Sequence, residues 1–177
     1  MRPESDCKRC DLCGGRKNIV LPTGDLNSKV AFVGEGPGEN EDFFGMPFVG
    51  RAGKILDDIM NEAGLERSRV MITNTVKCRP PNNREPTDEE MKACRPFLDS
   101  ELEHCEMVVG LGKSACRDLI GFEGSMKNVL NKRQIMFVNG KEILFIPTYH
   151  PMACVYKKDA RVGLLETMKL VKEFLDQ

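Results

Sequence analysis

The sequence predicts an α/β fold, a three-layer α/β/α sandwich around a central, mainly parallel four-stranded sheet. Two observations predict it. Four short continuous apolar runs, Val30–Val33, Val70–Thr73, Met107–Val109 and Ile143–Ile146, have the β-branched character of strands buried on both faces. Helical patterns alternate with them, the order that builds a parallel sheet covered on both sides.

Taken in order, Met1–Arg16 is polar and lacks the apolar core of a secretory signal. The chain is therefore expected to be cytoplasmic, one domain over residues 1–177 with a cysteine-bearing arm of about residues 1–24. Ala52–Ala63 carries Ile55, Leu56, Ile59 and Met60 on one helical face. Thr87, followed three residues later by Glu90, reads as a capping box opening a helix. Pro96 is expected to break or kink that helix near its middle. Lys113–Leu119 reads as a short helix, and Arg161–Leu175 as an amphipathic one. Asn139-Gly140, between Gln134–Val138 and Glu142–Ile146, is a hairpin signal.

Composition narrows the function. In 177 residues, 26 Lys plus Arg stand against 27 Asp plus Glu, a net charge of −1. That excludes histone-like binding by bulk charge, so any nucleic-acid contact needs a local basic patch. No apolar run approaches the roughly 18 residues of a membrane span. The eight cysteines are not a disulfide scaffold if the chain stays in a reducing compartment, which turns attention to metal or cluster ligation.

Ligands of such sheets bind beyond the carboxyl ends of the strands, where three loops carry chemistry. The first is the glycine-rich run Gly34-Glu35-Gly36-Pro37-Gly38, then Glu41-Asp42 and Gly45–Gly53, a backbone able to approach a ligand closely. Its spacing matches neither the dinucleotide nor the P-loop pattern. The second is Asn74, which either closes a turn or offers its amide to a pyrimidine edge. The third is Thr148-Tyr149-His150-Pro151, where His150 suits hydrogen-bond donation or proton handling. His104, in a charged helical stretch, reads as solvated. Cys7-x-x-Cys10-x-x-Cys13 and the pair Cys78 and Cys94 have the makings of a four-thiolate site for zinc or an iron–sulfur cluster. Cys105, Cys116 and Cys154 read as packing residues.

These stretches together resemble one family. The run Gly34–Gly38 with Glu41-Asp42 and Gly45-Met46-Pro47-Phe48-Val49-Gly50 is similar to the first motif of the family 4 uracil-DNA glycosylases. Ile72–Arg84 and His150-Pro151 resemble further stretches of that family, in the same order along nearly the whole chain. The resemblance implies hydrolysis of the N-glycosidic bond of deoxyuridine in DNA, the opening step of base excision repair. It also implies a [4Fe–4S] cluster on Cys7, Cys10, Cys78 and Cys94. Cys13 departs from the pattern and leaves Cys10 with Cys13 as an alternative pair.

By the same resemblance Phe48 stacks on uracil, Asn74 pairs with its O4 and N3–H edge, and the backbone of Gly34, Glu35 and Gly36 holds the ring. His150 serves the developing anion at O2, and Glu35, with Glu41 as second candidate, serves the attacking water. Arg51, Arg79, Asn83, Arg84 and Met152 are the DNA-contact candidates, with Lys77 and Lys92 adding charge around the Cys78–Cys94 loop. Met152-Ala153-Cys154 departs from the small residues usual there. The expected partner is uracil-containing DNA, single- or double-stranded, bound by a monomer away from any membrane.

Two other readings compete with it. A covalent uracil-DNA binder of the same fold resembles the first motif with Gln in place of Gly36 and carries a basic insertion ending in His near Arg84; this chain has neither. A zinc-ribbon scaffold without catalysis is the other.

Overall fold

The four apolar runs form strands β2 (Val30–Gly34), β3 (Met71–Asn74), β4 (Met107–Leu111) and β6 (Lys141–Thr148), mutually parallel at the centre of the sheet. The computed structural model describes residues 1–177. Two antiparallel strands, β1 (Thr23–Gly24) and β5 (Gln134–Val138), flank the four, giving the order β1-β3-β2-β4-β6-β5. The sheet thus has six strands rather than four. At two residues β1 is too short to show a periodicity. β5 is the first arm of the Asn139-Gly140 hairpin, whose turn residues take φ +50° and +82° as a two-residue hairpin turn requires.

Alternation along the strands sorts side chains into two cores. Ala31, Val33 and Val108 face helices α3 (Asp88–Leu102) and α4 (Lys113–Ile120), while Val30, Phe32 and Val109 face α2 (Arg51–Glu62) and α5 (Lys158–Asp176). That makes the three layers expected. Phe32 and Phe145 are wholly buried, each worth roughly 1.5–3 kcal/mol of hydrophobic stabilisation.

Thr87 caps α3 as expected, its hydroxyl accepting from Glu90 N while Glu90 accepts from Thr87 N. Pro96 does not break the helix, which runs continuously from Asp88 to Leu102. The proline faces solvent while Cys94, Phe97 and Leu98 are buried opposite it, so packing offsets the lost hydrogen bond. A further short helix, α1 (Glu39–Phe44), follows the glycine-rich run. No helix is long and apolar enough to cross a membrane.

Candidate active site

Chain order reverses direction at β2: the crossover to β3 goes one way and β4 lies on the other side. A cleft is expected beyond such a switch point. One opens there, a cavity of about 460 Å³ between the loops leaving β2, β3 and β6. Its lining brings together Glu35, Gly36, Glu41, Phe48, Arg51, Asn74, Asn83, Arg84, His150 and Met152. Gly34 and Arg79 are not in that lining. Gly34 lies behind it, and Arg79 turns its Nε to Asn83 Oδ1 at 2.8 Å.

Register explains the glycine. Gly34 is paired with Asn74 at the ends of adjacent parallel strands. A Cβ at Gly34 would stand 2.5 Å from the Phe48 ring and 2.6 Å from Asn74 Oδ1. Phe48 itself has φ +53°, a left-handed backbone unusual for an aromatic residue. Three devices hold it there. Glu41 accepts hydrogen bonds from Gly38 N (3.0 Å), Val49 N (2.9 Å) and Gly50 N (2.7 Å), stapling the loop on both sides of the ring. Arg67, paired to Asp57, donates to the carbonyls of Pro47 (2.6 Å) and Phe48 (2.9 Å). Gly53 leaves room for the Phe48 carbonyl, which a Cβ would meet at 1.9 Å.

Asn74 is 3% exposed, and its side-chain oxygen is buried without a hydrogen-bond partner. A buried acceptor left open costs about 1–3 kcal/mol, so this atom awaits a donor. Its backbone is fixed by Lys77, whose ammonium donates to the Asn74 carbonyl (2.8 Å), Thr73 Oγ1 (2.6 Å) and Glu101 Oε1 (2.6 Å). Lys77 is 1% exposed. It therefore cannot offer its charge to DNA phosphates as expected; the ion pair with Glu101 takes it inside.

His150 caps the short 3-10 turn Pro151–Val155, its Nδ1 accepting from Met152 N at 3.1 Å. Burial pushes its pKa down to about 4, against a smaller opposing pull from Glu41. The imidazole is then neutral at physiological pH, and with Nδ1 accepting, its one proton sits on Nε2. The ring lies 6.1 Å from that of Phe48, between centroids. Glu35 accepts from Ser114 Oγ at 2.6 Å. Burial raises its pKa most, the Ser114 bond opposes, Glu85 raises it and Arg117 lowers it.

A second constellation lies behind the pocket. Cys78 and Cys94 are buried with Leu12, Val76, Met91 and Phe97, and Cys7 and Cys10 pack against this group. Cys13 is not among them; it sits in the 3-10 turn Asp11–Gly14. Arg16 ties the arm to the body, donating to Cys7 O (2.8 Å) and Cys78 Sγ (3.6 Å). Burial pushes the Cys78 thiol up to about 11 and raises those of Cys10 and Cys94. Cys105 and Cys116 are core residues, and His104 is exposed, as read.

Sequence reasoning missed Arg67 and Ser114. Each acts through a partner distant in sequence, so no local pattern marks it.

Comparison with known proteins identifies the family. The model of the uracil DNA glycosylase superfamily matches residues 21–176. A type-4 uracil-DNA glycosylase of Sulfurisphaera tokodaii is 42% identical over 94% of this chain and 79% of its own length. One of Thermotoga maritima is 39% identical over 96% and 89%. A type-5 uracil-DNA glycosylase of Pyrobaculum aerophilum is 34% identical over 75% and 65%. With the family model spanning most of the chain and type-4 relatives matching nearly all of it, the chain belongs to the uracil DNA glycosylase superfamily, in its type-4 branch.

Proposed function

We propose that this pocket receives a deoxyuridine flipped out of DNA and hydrolyses its N-glycosidic bond, leaving an abasic site. The open acceptor of Asn74, buried beside the Phe48 ring, carries the reading. Uracil offers N3–H to that oxygen and O4 to the amide NH2, while its face stacks on Phe48. Cytosine has a lone pair at N3 and an amino group at C4, so both contacts turn repulsive and the buried amide stays unpaired.

Cleavage sends negative charge to uracil O2 and positive charge to the sugar. His150 donates its Nε2 proton to O2 as a neutral imidazole, matched to an anion that needs a hydrogen bond rather than full protonation. Glu35 takes the proton of the attacking water. Glu41 holds the loop, since its two oxygens already accept three backbone N–H groups. Arg51, Asn83, Arg84 and Met152 line the rim and meet the DNA flanking the flipped nucleotide; Arg84 is pre-set by its two-point pairing with Glu90 (2.7 and 2.9 Å). No lysine lines the pocket, and Lys77 is engaged with Glu101, so no amine is placed to form a Schiff base.

Cys7, Cys10, Cys78 and Cys94 are proposed to hold a [4Fe–4S] cluster. An all-thiol donor set suits it, and Cys7 and Cys10 of the arm pack against the group that buries Cys78 and Cys94. The cluster would pin the arm to the body and add its binding energy to folding.

The test is an oligonucleotide carrying one uracil. Expected are free uracil and an alkali-labile abasic site without strand breakage. An unchanged oligonucleotide, or a protein–DNA adduct trapped in good yield by borohydride, would overturn the proposal.

A further inference from the structure

Ser114 lies in the first turn of α4, 3% exposed. Its hydroxyl stands 2.6 Å from Glu35 Oε2 and also 2.6 Å from Glu85 Oε1. One hydroxyl has one proton and donates to one carboxylate only. The other close oxygen–oxygen contact is attractive only when that carboxyl brings a proton of its own. The row Glu35–Ser114–Glu85 is therefore built for one shared proton, as in other paired carboxyls.

The two ends differ. Glu85 has a side chain 55% exposed, with Arg117 Nη1 at 3.3 Å, and reaches solvent. Glu35 sits in the pocket wall. The row thus runs from the reaction centre to bulk water.

We propose that Ser114 and Glu85 are positioning residues that set the ionisation of Glu35 and conduct its proton out of the pocket. The proposal rests on the assignment of the attacking water to Glu35. As the water–C1′ bond forms and the C1′–N1 bond breaks, the water proton passes to Glu35 and uracil leaves with the electron pair. Glu85 releases the row's shared proton to solvent, Glu35 gives its new proton to Ser114 Oγ, and the Ser114 hydroxyl proton moves to Glu85, which restores the row. The uracil anion takes a proton from bulk water, and the enzyme is restored.

The charged groups facing Glu35 are Glu85, from the loop before α3, and Arg117, from α4. Arg117 is also paired with Asp88 of α3 at 3.4 Å, and Thr75, beyond β3, contributes only a neutral hydroxyl, to the Glu35 carbonyl. Glu39, Glu41, Arg51, Arg84 and His150 share the pocket lining and stay unchanged in the test variants.

The test is the pH profile of kcat/KM on a single-uracil oligonucleotide for the parent, Glu35→Gln, Glu85→Gln and Ser114→Ala. Glu85→Gln removes a negative neighbour, so the acid limb of kcat/KM should move to lower pH, with kcat/KM about threefold above the parent's on that limb. Ser114→Ala removes the donor that steadies the Glu35 carboxylate, so the limb should move to higher pH. Shifts of opposite sign support the proposal. A limb present in the parent and lost in Glu35→Gln, yet unmoved or moved alike in both neighbour variants, would overturn it while leaving the Glu35 assignment standing. A parent without an acid limb, or with one that Glu35→Gln retains, would overturn both.

Discussion

Replacing Gly34 by alanine adds one methyl group at the back wall of the pocket. That methyl would meet Phe48 Cζ at 2.5 Å, Phe48 Cε2 at 2.7 Å and Asn74 Oδ1 at 2.6 Å. Carbon atoms rest about 3.5 Å apart, so the ring must retreat by about 1 Å. It cannot retreat with its backbone, which Arg67 and Glu41 hold at φ +53°. The ring must instead swing into the space that uracil would occupy, and Asn74 must shift with it. A displacement of this size in a positioning group costs about 10²-fold in rate. Overpacking costs about 1–3 kcal/mol, and the open pocket favours the lower end, or roughly 2–4 °C in Tm. Gly34 does not have a left-handed φ, so backbone strain adds nothing. Single-turnover kinetics on a uracil oligonucleotide, with thermal unfolding alongside, measure both. A folded Gly34→Ala enzyme with the parent's kcat/KM would mean that Phe48 and Asn74 do not form the pocket.

Asn74→Asp puts an acceptor where the amide NH2 meets O4, so kcat/KM on uracil should fall by about 10²-fold or more and the ratio of uracil to cytosine release should shrink; competition between the two oligonucleotides reads it. Because His150 titrates at about 4 in the fold and near 6.5 unfolded, the unfolded chain binds the extra proton between those values. Stability is then lost as pH falls from 6.5 towards 4, by about 2–3 kcal/mol from this residue. His150→Gln should flatten that part of the Tm–pH curve. Cys78→Ala should remove iron and visible absorbance and lower Tm, while Cys13→Ala should leave all three unchanged; the reverse result for Cys13 and Cys7 would move the ligand pair one Cys-x-x-Cys step along the arm.

The layered architecture was legible because buried parallel strands need continuous apolar runs, and β2, β3, β4 and β6 all carry them. β1 was not, since two residues hold no period. Pro96 misled because a local rule was outweighed by the buried residues on the opposite face of α3. Phe48, Asn74 and His150 were readable from motifs at strand ends, and the structure brings all three to one cavity. In the sequence Lys77 looks like a surface cation because its partner, Glu101, lies a helix away; only the fold shows the pair at 2.6 Å. Arg67 and the Ser114–Glu85 contact escape sequence reading for the same reason.

The central claim is that one pocket reads uracil through Asn74 and Phe48 while His150 stays neutral. A crystal structure of the protein with free uracil tests it most directly. Uracil is expected with its ring flat on Phe48, N3–H on Asn74 Oδ1, and O2 facing His150 Nε2. Uracil bound outside this cavity, or seated with its N3–O4 edge turned away from Asn74, would contradict it.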